Sequence, residues 1–271
     1  MKHLFLSVAM IMGFALNSFG QNQHPAEPEM VLVNGGTFLM GCSTEQGRDC
    51  NEDELPLHSV TVGSFYIGKY PITQKQWQLL MGDAVEKPHG QGNENSPVYG
   101  EGGEYHPYGY GEGDDFPMYY VSWEEAQEFI HRLNVATGKN YRLPTEAEWE
   151  FAARGGDKSK GYKYSGSDNL SDVAWFGENS GDKTHSVGTK APNELEIFDM
   201  SGNVWEWCCD WYGVYSDSAQ TDPAGSSSGS ARVFRGGSWG CDAKSCRVSH
   251  RDDGTPTPRC GDLGLRVVLP Q

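Results

Sequence analysis

Apolar and polar residues alternate in short runs along much of this chain, a period of two that predicts strands with one face in a core. Met30 to Val33 and Thr37 to Met40 are two such runs around Asn34-Gly35-Gly36, and those turn residues predict a hairpin. His58 to Tyr66, carrying Val60, Val62 and Phe65, predicts one further strand. Helical patterning is confined to three places. A short helix is expected from Thr73 to Leu80, and two better-defined ones begin at Ser122 and Thr145, where Glu125 and Glu148 complete capping boxes. Phe129, Ile130 and Leu133 supply the apolar face of one, and Trp149, Ala152 and Ala153 that of the other. His131 falls off that face and is expected at the surface.

The stretch from Arg232 to Leu269 opens and closes with strand-like residues and is polar between, holding Cys241, Cys246 and Cys260. Ends paired and middle free is the arrangement in which a scaffold carries its function. Residues 82–116 differ from the rest: rich in Gly, Tyr, Asn and acid, with no apolar period, they read as a surface insertion. At the other end, Lys2 and His3 precede an apolar run too short to span a bilayer, closed by Asn17-Ser18-Phe19-Gly20. That predicts a signal peptide over 1–20, a polar lead-in over 21–29, one domain over 30–270, and an exported protein with no membrane span after cleavage.

Export changes how the seven cysteines are read, because disulfides persist outside the cytoplasm. Cys42 and Cys50 flank a polar loop and are expected to pair locally. Cys208 and Cys209 are adjacent, cannot easily join each other, and would each need a distant partner. A net charge of -16, with no basic run, excludes a phosphate-backbone surface, so no nucleic-acid partner is expected. The 35 glycines and 14 prolines predict long loops. No dinucleotide, phosphate-loop, nucleophile-elbow or zinc-protease string occurs. In DMSGNVWEW, Asp199, Asn203 and Glu206 are hard oxygen donors; a calcium site and a tight turn before a buried strand both fit them.

GGTFLMG, RLPTEAEWEFAARGG, DMSGNVWEW, RGGSW and GLRVV occur in the order typical of the formylglycine-generating enzyme, or sulfatase-modifying factor, family, which the chain resembles from Val31 to Leu269 outside the insertion. The resemblance implies a single α+β domain with a C-type-lectin-like core, little regular secondary structure, and N- and C-terminal strands pinned together. It implies calcium at Asp199, Gly202, Val204 and Glu206, the middle two through backbone carbonyls. The family's enzymes oxidise a sulfatase cysteine to formylglycine with copper and dioxygen. On that pattern Cys241 and Cys246 would hold copper, with Ser238 and Trp205 beside the oxygen site. Three positions depart from the enzymes: Asp242 replaces a His or Arg, Asp262 an asparagine, and Leu265 an aromatic.

The same region also resembles the variable proteins of diversity-generating retroelements, in which fixed anchors (GGSW, CRVS, LGLR) alternate with mutable positions. The mutable set would be Gly240, Cys241, Asp242, Ser245, His250, Asp252, Asp253, Gly254, Cys260, Gly261 and Asp262. The favoured expectation is therefore a ligand-binding protein that displays 240–262 to a protein, peptide or surface ligand. A copper-dependent oxidase and a structural subunit of an envelope assembly are the alternatives.

Overall fold

A computed structural model describes residues 23–82 and 111–271. The signal-peptide expectation and residues 83–110 of the insertion lie outside them. In chain order the described elements are β1 (Met30–Val33), β2 (Gly36–Met40), β3 (His58–Val62), β4 (Phe65–Gly68), α1 (Gln74–Met81), α2 (Trp123–Thr137), α3 (Glu146–Ala153) and α4 (Leu170–Val173). They continue with β5 (Trp205–Trp211), β6 (Gln220–Thr221), β7 (Arg232–Arg235), β8 (Arg251–Gly254), β9 (Leu263–Gly264) and β10 (Val268–Pro270). Loops join most of them, as the glycine and proline content predicts for this α+β fold.

The expected hairpin is not formed, and the expected single strand from His58 to Tyr66 is two strands. β1 pairs antiparallel with β4, with Val31 opposite Ile67, while β2 pairs antiparallel with β3, with Phe38 opposite Val60. Both corrections have one cause. Gly35 lies against Gly63 and Ser64, its N–H donating to Ser64 Oγ at 2.9 Å, and a Cβ at Gly35 would stand 2.6 Å from the Val62 carbonyl oxygen. One long antiparallel ribbon thus bends at both glycines together and feeds two sheets. β10 pairs with the other edge of β4, so strands from both ends of the domain flank it.

Both predicted capping boxes are present, and a third is found at Thr73. Thr73, Ser122 and Thr145 each accept the backbone N–H three residues on, and Gln76, Glu125 and Glu148 return the bond. α2 buries Ala126, Phe129, Ile130 and Leu133, whereas α3 is buried at every position. α3 is the central helix. It packs between the sheet of β2 and β3 and a four-stranded sheet of order β8-β7-β5-β9.

Register across that second sheet sets Arg251, Arg235, Glu206 and Gly264 abreast. One face therefore carries charge toward α3, and the other carries Trp205, Trp207 and Phe234 into the core around α2. Gly264 is required here, since a Cβ would meet the Met118 carbonyl oxygen at 2.2 Å.

The buried arginines are paired with carboxylates. Arg235, fully buried, donates to Glu146 at 2.9 Å and Glu150 at 2.5 Å; Arg251 grips Glu146 from the other side at 2.7 Å. Arg247, also fully buried, forms a two-pronged contact with Glu54, and Ser249 Oγ donates to the same carboxylate at 2.6 Å. Arg266 lies against Glu206 at 2.8 Å and donates to the Gly68 carbonyl at 2.7 Å. Replacing Arg266 by Met strands a buried carboxylate and is expected to cost about 3–5 kcal/mol in urea unfolding. The double variant with Glu206→Gln is expected to be less destabilised than the single one, because no unpaired charge remains.

Candidate functional site

β7 ends at Arg235, and Gly236 and Gly237, at φ of 104° and 74°, turn the chain over the end of β5. Glycine adopts both conformations without a Cβ clash. At Gly237 a Cβ would also stand 2.6 Å from the Cys246 sulfur, so the missing side chain lets two parts of the loop touch. Ser238 is delivered, fully buried, to the middle of this contact.

A serine hydroxyl has one proton and two lone pairs. Ser238 donates its proton to Asp262 Oδ2 at 2.6 Å, since an ionised carboxylate can only accept. Its lone pairs take the Gly240 N–H at 3.3 Å and face Cys241 Sγ at 3.2 Å. With the serine proton committed, the last contact must run from thiol to hydroxyl. Cys241 is held as S–H. Burial, and then the Asp262 charge, push its pKa up to about 12, opposed by the Trp205 side chain. The other Asp262 oxygen accepts the Cys260 thiol at 3.2 Å. The structure thus brings Ser238, Trp205, Cys241, Cys260 and Asp262 together.

Cys241 and Cys246 are both unpaired and share a small apolar cluster with Tyr164, Leu170 and Phe176. Copper(I) suits such soft donors but needs them as thiolates. Burial and the neighbouring Cys241 raise the Cys246 thiol well above its ordinary range. As arranged, with the Cys241 thiol facing Ser238 Oγ and Cys246 fully buried, the two do not present the thiolate pair that copper(I) takes.

The calcium set fares similarly. Asp199, Gly202 and Asn203 form a tight turn with positive φ at each, and Val204 leads into β5. Both Glu206 oxygens are filled: one accepts Arg266 Nε and Nη2, the other Arg266 Nε and Trp149 Nε1 at 2.7 Å. Asp199 accepts the Gly188 N–H at 2.8 Å, and burial raises its pKa to about 6. An ion here would have to displace Arg266, so these residues as arranged do not fit calcium.

Of the eleven positions expected on the display surface, Gly240, Asp242, Asp252, Asp253 and Cys260 are exposed, and Cys241, Ser245, Gly254 and Asp262 are half-buried. His250 and Gly261 are buried, which corrects their assignment. His250 packs near the Trp205 ring and beside Arg247; burial, then that guanidinium, lower its pKa to about 4. Cys42 and Cys50 form the expected disulfide. Cys208 and Cys209 do not find distant partners: neighbours on β5, they enter different cores and both are free thiols. Glu54, the anchor of Arg247, had no signal in the sequence beyond being an acid near a disulfide loop.

A family model described as the sulfatase-modifying factor enzyme 1-like domain matches residues 16–270. The chaperone protein LppX of Paenibacillus barcinonensis is 33% identical, over 98% of this chain and 97% of its own. The chain belongs to the sulfatase-modifying factor family. Another member, the formylglycine-generating enzyme of Streptomyces coelicolor, is 37% identical, the match spanning 56% of this chain and about half (52%) of that enzyme. Among solved structures, Treponema denticola variable protein 1 superposes with a TM-score of 0.73 at 29% identity, covering 89% of this chain and 95% of that one. PvdO from Pseudomonas aeruginosa gives 0.73 at 26% identity, over 92% and 96%. Among the described residues no helix of this family member is long and apolar enough to cross a membrane.

The hydrogen-bond polarity at Ser238 can be measured. Asp262→Asn removes the charge and frees the serine proton to face the sulfur, so Cys241 is expected to lose its proton at lower pH. Iodoacetamide labelling, followed peptide by peptide, should show Cys241 alkylated about tenfold faster at pH 8 than in the parent, an amount equal to one pKa unit. An unchanged rate means that Asp262 does not control the thiol.

Proposed function

We propose that this family member is an exported ligand-binding protein, presenting residues 240–262 to a protein or peptide partner. The observation that carries this is the partition of burial along the loop. Nine of the eleven expected mutable positions reach the surface, while Cys246, Arg247, Val248, Ser249 and Arg251 between them are buried. Buried positions hold the loop, and the surface positions between them can change without loosening it. The outward residues include Asp242, Asp252 and Asp253, with Asp262 half-buried beside them, against Lys244, an acidic balance that favours a partner presenting basic groups. Its likeness to variable protein 1, and to a relative named as a chaperone, supports binding over catalysis.

The oxidase reading has one observation in its favour: Cys241 and Cys246 have the family spacing and are both unpaired. Two measurements separate the readings. Sequencing the gene from many independent clones of the source population should show substitutions concentrated at the nine surface positions and absent at Arg247 and Arg251. A uniform loop would remove the variable-display reading. Titrating copper(I) into the protein and a Cys241→Ser variant, with a cysteine-containing peptide and oxygen, should show no one-to-one copper binding and no peptide aldehyde. Tight binding lost in the variant, with aldehyde formed, would make the protein an oxidase.

A further inference from the structure

The opposite end of β5 from Ser238 opens on a cavity of about 640 Å³, lined by Glu146, Asp210, Tyr215, Gly225 and Arg251 among others. Asp210 is its most unusual wall. The side chain is 97% buried by its residue's 3% exposure, yet only Oδ2 is partnered, accepting the Glu146 N–H at 2.9 Å and the Cys209 thiol at 3.3 Å. Among the described residues no donor reaches Oδ1. Oδ1 instead faces the cavity that Asp210 lines, where only what enters the cavity can donate to it.

Neighbouring cations do not meet that need. Arg235 and Arg251 both grip Glu146, whose charge they share with the Tyr215 hydroxyl at 3.0 Å. Arg142 is bound two-pronged to Glu148, and Arg232 donates to the Cys209 carbonyl from between the Trp123 and Trp211 rings. The loop that rims the cavity brings none either: Tyr212 to Ala231 contains no Lys or Arg and includes Asp217 and Asp222. Gly225 leaves the approach to Oδ1 open, since a Cβ there would stand 2.9 Å from it.

We infer that this cavity binds an alkylammonium group, with Asp210 Oδ1 as its counter-ion. A compact cation with three donors supplies what the free oxygen lacks. The amine can be a free small molecule or a lysine side chain of a polypeptide.

The ionisation of Asp210 gives the site a pH signature. Burial, then Glu146, raise its pKa to about 7. Glu148 adds to the repulsion; Cys208, Cys209, Arg142 and Arg232 face the same carboxylate, and His58, Tyr215 and Arg251 complete the titratable lining. A raised pKa means that Asp210 is neutral below that value and charged above it. Ammonium binding therefore strengthens as pH rises through about 7.

Calorimetric titration of the full chain with n-butylamine, Nα-acetyl-lysinamide and a lysine-containing peptide, with n-butanol as the neutral control, tests this. Amine binding is expected at pH 8, about tenfold weaker at pH 6 as the carboxylate takes up its proton, and butanol binding is not. Asp210→Asn is expected to lose at least tenfold in affinity. That substitution also touches the first N–H of α3, so the wild-type ratio between pH 8 and pH 6 is an independent readout. Binding of free amines assigns a small-molecule site; binding of the peptide alone assigns a lysine side chain. No amine binding at pH 8, equal affinity for butanol, or equal affinity at both pH values overturns the proposal.

Discussion

Everything in this domain depends on arginines that have been taken out of water. Arg235, Arg247, Arg251 and Arg266 all come from the C-terminal stretch, and each closes on a carboxylate from elsewhere: Glu146 and Glu150, Glu54, Glu146 again, and Glu206. A buried ion pair adds little net stability, but leaving one member unpaired is very unfavourable. The constraint is therefore on geometry. Only an arrangement that seats all four guanidiniums at once is tolerated, and that condition fixes how the last strands lie on α3.

A frame of this kind permits a long irregular loop. Between Ser238 and Leu263 the backbone has almost no ladder to hold it except β8, yet Arg247 and Arg251 fasten its middle and Gly264 is locked against Met118. Gly240, Asp242, Asp252 and Asp253, on either side of those anchors, are exposed. Rigid support and surface freedom come from the same chain, alternating residue by residue.

The hydrogen-bond polarity around Ser238 shows how one side chain redirects a site. The spacing of Cys241 and Cys246 belongs to a family that includes oxidases, but an acid at Asp262 takes the only proton Ser238 can give. The sulfur then keeps its own proton. A carboxylate where the family resemblance implies an amide changes which atom is donor.

Local signals were legible in the sequence wherever the interaction spans a few residues. The caps at Thr73, Ser122 and Thr145, the apolar face of α2, the short Cys42 to Cys50 loop and the ordered family strings all depend on near neighbours. The pairing of β1 with β4 was not legible, because a Gly-Gly turn is as compatible with a bent ribbon as with a hairpin, and only Gly63 pressing on Gly35 decides between them. Nor could spacing reveal that His250 lies beneath the surface, that both Glu206 oxygens belong to Arg266 and Trp149, or that Asp210 keeps one oxygen free. Sequence by itself determined the capped helices, the local disulfide and the family to which the chain belongs. Tertiary structure decided which donors meet which acceptors, because burial and hydrogen-bond satisfaction are settled by groups as far apart in the chain as Gly68 and Val267.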